Sequence, residues 1–128
     1  ALEVSVVPGV SSLSLLAAAH RVVLHDVTRP LHVTTARRLP EALAQGQRNV
    51  AVLLNRTIDL DGLGVDDWTM WWSANLGAAG ERSVAGRVAD VLGEVRRARE
   101  QAAEADGWVM DLYLLRAPDE PVSAEAER

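Results

Sequence analysis

The chain has 128 residues, a formal charge of −5, no cysteine, and thirteen basic residues that are all arginine. That length supports one domain with a single core, and the absence of thiols excludes disulfides and thiolate metal sites, which suits the cytoplasm. The acidic balance argues against general nucleic-acid binding. No apolar run is long enough to cross a membrane, and no signal-peptide pattern occurs.

In chain order, Val4–Val7 reads as a short strand broken by Pro8-Gly9, and Ser11 or Ser12 can cap the helix that follows. Leu13, Leu16, Ala17 and His20 fall on one face of that helix. The strand, turn and hydroxyl-bearing helix start suit either an anion site or an ordinary capped turn. Leu31–Thr35 is apolar and β-branched, a strand. Arg37–Gln45 is a short helix stopped by Gly46, and Asn49–Asn55 has the continuous apolar character of a central strand. Residues 59–67 form a loop. Asp59, Asp61, Asp66 and Asp67 lack the spacing and closing glutamate of a calcium loop.

Trp68–Leu76 is the next strand, and its adjacent Trp71 and Trp72 must point to opposite faces. The small residues of the turn at 76–81 would let backbone approach a ligand, and residues 68–85 read as an antiparallel hairpin. Arg87–Ala105 is the clearest helix, with Val88, Val91, Leu92, Val95, Ala98 and Ala102 in one stripe and Arg96, Arg97 and Arg99 on a solvated face. Trp108–Arg116 is the last strand, and residues 117–128, without apolar periodicity, form a disordered tail.

That last strand carries a carboxylate, Asp111, among Val109, Met110, Leu112 and Tyr113. A strand covered on both faces has no use for a buried charge unless an arginine or a ligand meets it. No serine lies in a nucleophile elbow. His20, His25 and His32 are too scattered for a metal-binding helix face and read as structural.

Val6-Val-Pro-Gly-Val-Ser-Ser12 resembles the linker and first helix of the second domain of tetrapyrrole methylases, which methylate corrin and sirohaem precursors with S-adenosylmethionine. His20–Leu24, Pro30–Leu39 and Trp108–Arg116 are similar to one branch of that family, whose members methylate C1 of precorrin-5 and release acetate, giving precorrin-6A on the aerobic route to cobalamin. The resemblance covers residues 3 to about 116. It implies that residues 1–116 are the second domain of a two-domain enzyme. The first domain would carry a glycine-rich cofactor loop, and no Gly-x-Gly-x-Gly occurs here, so this unit alone is not expected to be catalytically competent.

The resemblance also implies the cofactor contacts. Ser11 and Ser12 match a hydroxyl-bearing pair after Pro-Gly. Leu54 stands where a Tyr-Met pair is usual, Gly77-Ala78 stands where Gly-Thr is usual, and Trp108 matches the start of the last strand. Asp111 is the candidate catalytic residue, orienting substrate or the water that removes the acetyl unit. No metal is needed, because the sulfonium donor is already activated. A homodimer is the partner state common in the family, with a small-molecule corrin precursor as substrate and neither nucleic acid nor membrane.

The expected fold is α/β, a three-layer α/β/α arrangement with a mixed sheet of about five strands whose strand–helix alternation favours a parallel core. Two other functions stay open: another corrin-ring methylase of the same pathway, and a non-catalytic α/β interaction module.

Overall fold

The computed structural model describes residues 10–24, 30–53, 58–77, 79–106 and 109–118. The expected strand at Val4–Val7 lies outside them. The elements are α1 (Val10–His20), β1 (His32–Thr35), a 3₁₀ turn (Ala36–Arg38), α2 (Leu39–Ala44), β2 (Asn49–Leu53), β3 (Thr69–Ala74), β4 (Arg82–Arg87), α3 (Val88–Asp106) and β5 (Asp111–Arg116). Five strands form one mixed sheet in the order β1-β2-β5-β3-β4. Helix α1 covers one face, and α2 and α3 cover the other. Among the described residues, no helix is long and apolar enough to cross a membrane.

The three-layer α/β reading holds, but the parallel core does not. Only β1 and β2 pair in parallel, whereas β5 is antiparallel to both β2 and β3, and β3 to β4. The strand–helix alternation is present in β4–α3–β5, yet the crossover skips β3, so its two like-directed strands are not neighbours. The centre of the sheet is therefore β5 rather than the 49–55 strand, and five of its six residues are buried. Strand period divides its side chains: Leu112 and Leu114 face α1, while Asp111, Tyr113 and Leu115 face α3.

The helices form where the apolar stripes require. Leu13 and Leu16 anchor α1, and Val88, Val91, Val95 and Ala102 anchor α3. Helix α2 carries Pro40 in its first turn and stops before Gly46, whose φ of +89° supplies the left-handed exit. Helical backbone begins at Val10, so Ser11 and Ser12 lie inside the first turn of α1 rather than at its cap. The loop after β2 buries Ile58, Leu60 and Val65, which pins the aspartate-rich segment to the core. Arg96 stays exposed, as expected, while its guanidinium donates twice to the Ile58 carbonyl, at 3.0 and 2.9 Å. The expected tail also begins later than residue 117. Ala117 is buried and its amide donates to the Arg48 carbonyl at 2.9 Å, while residues 119–128 lie outside the described residues.

Helix α3 packs closely on β4 because Gly86 has no side chain. A Cβ there would stand 2.6 Å from Cγ1 of Val91. Gly86→Ala should cost about 1–3 kcal/mol, the scale of overpacking a filled core. Pairing it with Val91→Ala should give back part of the loss, read as a non-additive double-mutant cycle by urea denaturation.

Candidate functional site

The strand registers place five termini together. Thr35 of β1 aligns with Leu53 of β2, and Ala74 of β3 aligns with both Asp111 of β5 and Arg82 of β4. Strands β1, β2 and β3 thus deliver their carboxyl ends to one end of the sheet, the place where open α/β sheets take ligands. The turn after β3 is built for proximity to the entry of β5. Asn75 adopts a left-handed φ of +54° although only 5% exposed. Its amide donates to the Met110 carbonyl at 2.8 Å, and its Oδ1 accepts from the Met110 amide at 3.0 Å. A non-glycine residue held in this region beside a candidate site is a reservoir of strain fixed by its surroundings.

Gly77 follows with a φ of +81°, and a Cβ there would meet nothing nearer than Leu15 Cδ1 of α1 at 4.0 Å. Its amide donates to Glu81 Oε1 at 3.0 Å. The turn therefore has open space above its backbone and the first half of α1 beside it. Met110, 63% exposed, adds an apolar side chain at the same rim.

Asp111 lies at the start of β5 rather than in mid-strand, because the regular ladder begins with it. Its side chain is 1% exposed, and Oδ2 accepts from Trp72 Nε1 at 2.8 Å and Arg99 Nε at 3.0 Å. Arg99 is thus drawn out of the expected solvated face. Arg116 cannot serve, since five residues further along a strand it points to the opposite face. There Arg116 donates to Asn49 Oδ1 and to the carbonyls of Val23 and Leu24, with its guanidinium 5.2 Å from the Trp71 ring centre. Trp71 and Trp72 do point to opposite faces, and both faces are packed. The Asp111–Trp72–Arg99 contact ties β5, β3 and α3 together at the site end. Asp111→Ala leaves the buried Trp72 Nε1–H and the partly buried Arg99 guanidinium without this carboxylate and should cost about 3–5 kcal/mol in urea denaturation, with a smaller further loss when Arg99→Leu is added.

The other face of the same end carries His20. Its Nε2 lies 3.1 Å from the Trp72 carbonyl and 2.9 Å from Ser73 Oγ, which in turn lies 2.7 Å from Ser83 Oγ across the β3–β4 pair. The carbonyl can only accept, so the ring hydrogen on Nε2 serves it. The chain of hydroxyls docks α1 on the sheet, as the structural reading of this histidine expected. Burial lowers the His20 pKa below its ordinary 6.5, against the opposing pull of the Trp72 carbonyl and of Glu81. Above pH 6.5 the ring is neutral in both the folded and unfolded chain; below it the unfolded chain takes up a proton that the folded ring resists. Stability should fall as the pH drops beneath 6.5, and His20→Gln should flatten that slope between pH 7 and pH 5.5, measured by urea midpoints.

Of the residues singled out from sequence, Gly77 and Asp111 meet at this end, and the backbone of Ser11 and Ser12 starts the helix beside it. Leu54, Ala78 and Trp108 lie outside the described residues. Sequence reasoning missed Asn75 and Arg82, whose roles depend on strand register. A separate open groove of about 440 Å³ runs along β1, lined by His32, Thr34, Arg38, Glu41 and Gln45. It lies at the outer edge of β1, away from Asn75, Gly77 and Asp111.

An α/β/α domain with a mixed sheet and a site at the strand ends is the class of protein this geometry defines. No family model matches the chain. It is 35% identical over 116 residues to the precorrin-6A synthase (deacetylating) of a Sinorhizobium species, covering 91% of this chain and 44% of that protein. The crystal structure of a cobalamin synthesis related protein, CobF, from Corynebacterium diphtheriae superposes with a TM-score of 0.78 at 32% identity, over 91% of this chain and 49% of that one. A cobalt precorrin-4 methyltransferase, CbiF, shares the fold with a TM-score of 0.60 at 17% identity, over 90% of this chain and 52% of its own. Over the matched residues the chain is similar to members of the tetrapyrrole methylase family. It spans about half the length of the relatives it matches.

Proposed function

We propose that this chain forms one half of an S-adenosylmethionine-dependent methyltransferase acting on a corrin precursor in cobalamin biosynthesis, with precorrin-5 as substrate and C1 as the methylated carbon. The observation that carries this reading is the convergence of the β3 turn, the entry to β5 and the end of β2 at one sheet end, with Leu15 of α1 beside the turn. Those are the segments to which the family resemblance assigns the cofactor contacts. The similarity to a deacetylating precorrin-6A synthase supports the choice of substrate.

The donor supplies an activated methyl group on a sulfonium, so the protein's task is to align it with a carbon nucleophile in a site sheltered from water. In this chain Gly77 would offer backbone at close range, Ser11 and Ser12 would lie at the helix start, and Met110 would cover an apolar part of the donor. Asn75 holds the two walls at fixed spacing. Asp111 acts as a positioning residue in this reading, since its contacts with Trp72 and Arg99 fix the start of β5. The glycine-rich loop of the other half completes the donor pocket. Cytoplasmic location and a homodimer accompany the proposal.

The test is methyl transfer by the full-length protein from labelled S-adenosylmethionine to precorrin-5, with acetate measured in the same reaction. One acetate per methyl group is expected. Methylation without acetate would favour another ring methylase of the pathway, and failure to bind the donor would favour an interaction module. Gly77→Val, which places a branched side chain at a φ of +81°, should weaken donor binding at least about tenfold, roughly 1.4 kcal/mol. Calorimetric titration reads that loss directly.

A further inference from the structure

Arg82 opens β4 at the site end, in the same cross-strand row as Ala74 and Asp111. The carboxylate of that row is engaged by Arg99 and Trp72. Glu81, next along the chain, turns to the amide of Gly77. Arg82 is half-buried, and its Nε is enclosed with no hydrogen-bond partner among the described residues. An enclosed donor without an acceptor is costly, and native structures seldom leave one unanswered. The buried carboxylate of the row is thus met by Arg99 from α3, and Arg82, in the same row, forms no ion pair with it among the described residues.

Two other arginines on these elements are engaged elsewhere. Arg87, at the far end of β4, pairs with Asp90 at 3.3 Å, and Arg96 holds the Ile58 carbonyl. Strand β4 is the last in the sheet, so its outer edge meets no further strand among the described residues. The Arg82 side chain can therefore swing past that edge toward a ligand lying across the strand ends. A guanidinium offers two parallel donors, the geometry that a carboxylate matches with two oxygens.

We propose that Arg82 binds a carboxylate side chain of the corrin precursor and so sets the precursor's position over the strand ends. This rests on the substrate class proposed above, because tetrapyrrole precursors carry several ring carboxylates. The resting Nε–H, enclosed and without an acceptor, gains one when the side chain turns to the substrate. Arg82 contributes no chemistry to methyl transfer. Its effect is on substrate affinity and on the dependence of that affinity on salt.

The test compares Arg82→Gln, Arg82→Lys and the control Arg87→Gln in the full-length protein. KM for precorrin-5 and Kd for S-adenosylmethionine are measured at low and high salt. Arg82→Gln should raise KM for the precursor about tenfold at low salt, with donor affinity unchanged. Its KM should also depend less on salt than that of the wild type. Arg82→Lys, which keeps the charge but loses the fork, should fall between them, and Arg87→Gln should match the wild type. A KM for Arg82→Gln equal to the wild-type value overturns the proposal, as does an equal rise in Arg87→Gln. If the wild type turns over no corrin precursor, the functional reading fails first and this assignment falls with it. Thermal melting of each variant separates a folding defect from a binding one.

Discussion

A central strand buried on both faces constrains everything else in this domain. β5 lies between β2 and β3, antiparallel to both, so each of its polar side chains must be answered within the fold. The chain answers at both ends and on opposite faces. At one end Asp111 accepts from Trp72 and Arg99 on the α3 side; at the other, Arg116 donates to Asn49 and to the carbonyls that follow α1. These contacts fix the strand's register, and with it which turns face one another across the site end. A shift of one residue would turn Asp111 toward α1 and the leucines toward α3. The apolar residues between supply burial, and the polar ends supply the address.

From that register the candidate site follows. Because β5 starts level with the end of β3, the chain just before it meets the turn just after β3, and Asn75 joins the two. Because β2 ends level with the same place, its exit arrives there as well. The strain in Asn75 and the bareness of Gly77 are local departures from ordinary backbone, at the point where a ligand would need close approach. Two polar groups flank the end: the His20–Ser73–Ser83 chain under α1 and the Asp111–Arg99 pair with Arg82 under α3.

Much of the fold was legible because periodicity reports burial. The stripes of α1 and α3, the two faces of Trp71 and Trp72 and the stop at Gly46 all follow from local rules. The sheet order was not legible. Alternation of strand and helix fixes relative strand directions but not which strand lies beside which, and the insertion of β5 between β2 and β3 made the sheet mostly antiparallel. Asp111 could be seen to need a partner, yet Arg99 could not be named, since its helix face looked solvated until α3 was laid over β5. Leu60 and Val65 hid in a segment whose aspartates and glycines read as loop. The site residues came partly from family resemblance. Asn75 and Arg82 carried no sequence signal of their own, because each matters only through its register across the sheet.

The claim that the strand ends around Asn75, Gly77 and Asp111 form the ligand site is tested most directly by hydrogen–deuterium exchange on the full-length protein, with and without S-adenosylhomocysteine. The account predicts added protection in the start of α1, the exit of β2, the turn at 75–83 and the entry to β5, with no change around Asn49, Val22 and Arg116 at the opposite end. Protection centred on that opposite end, or on the groove along β1, would contradict it.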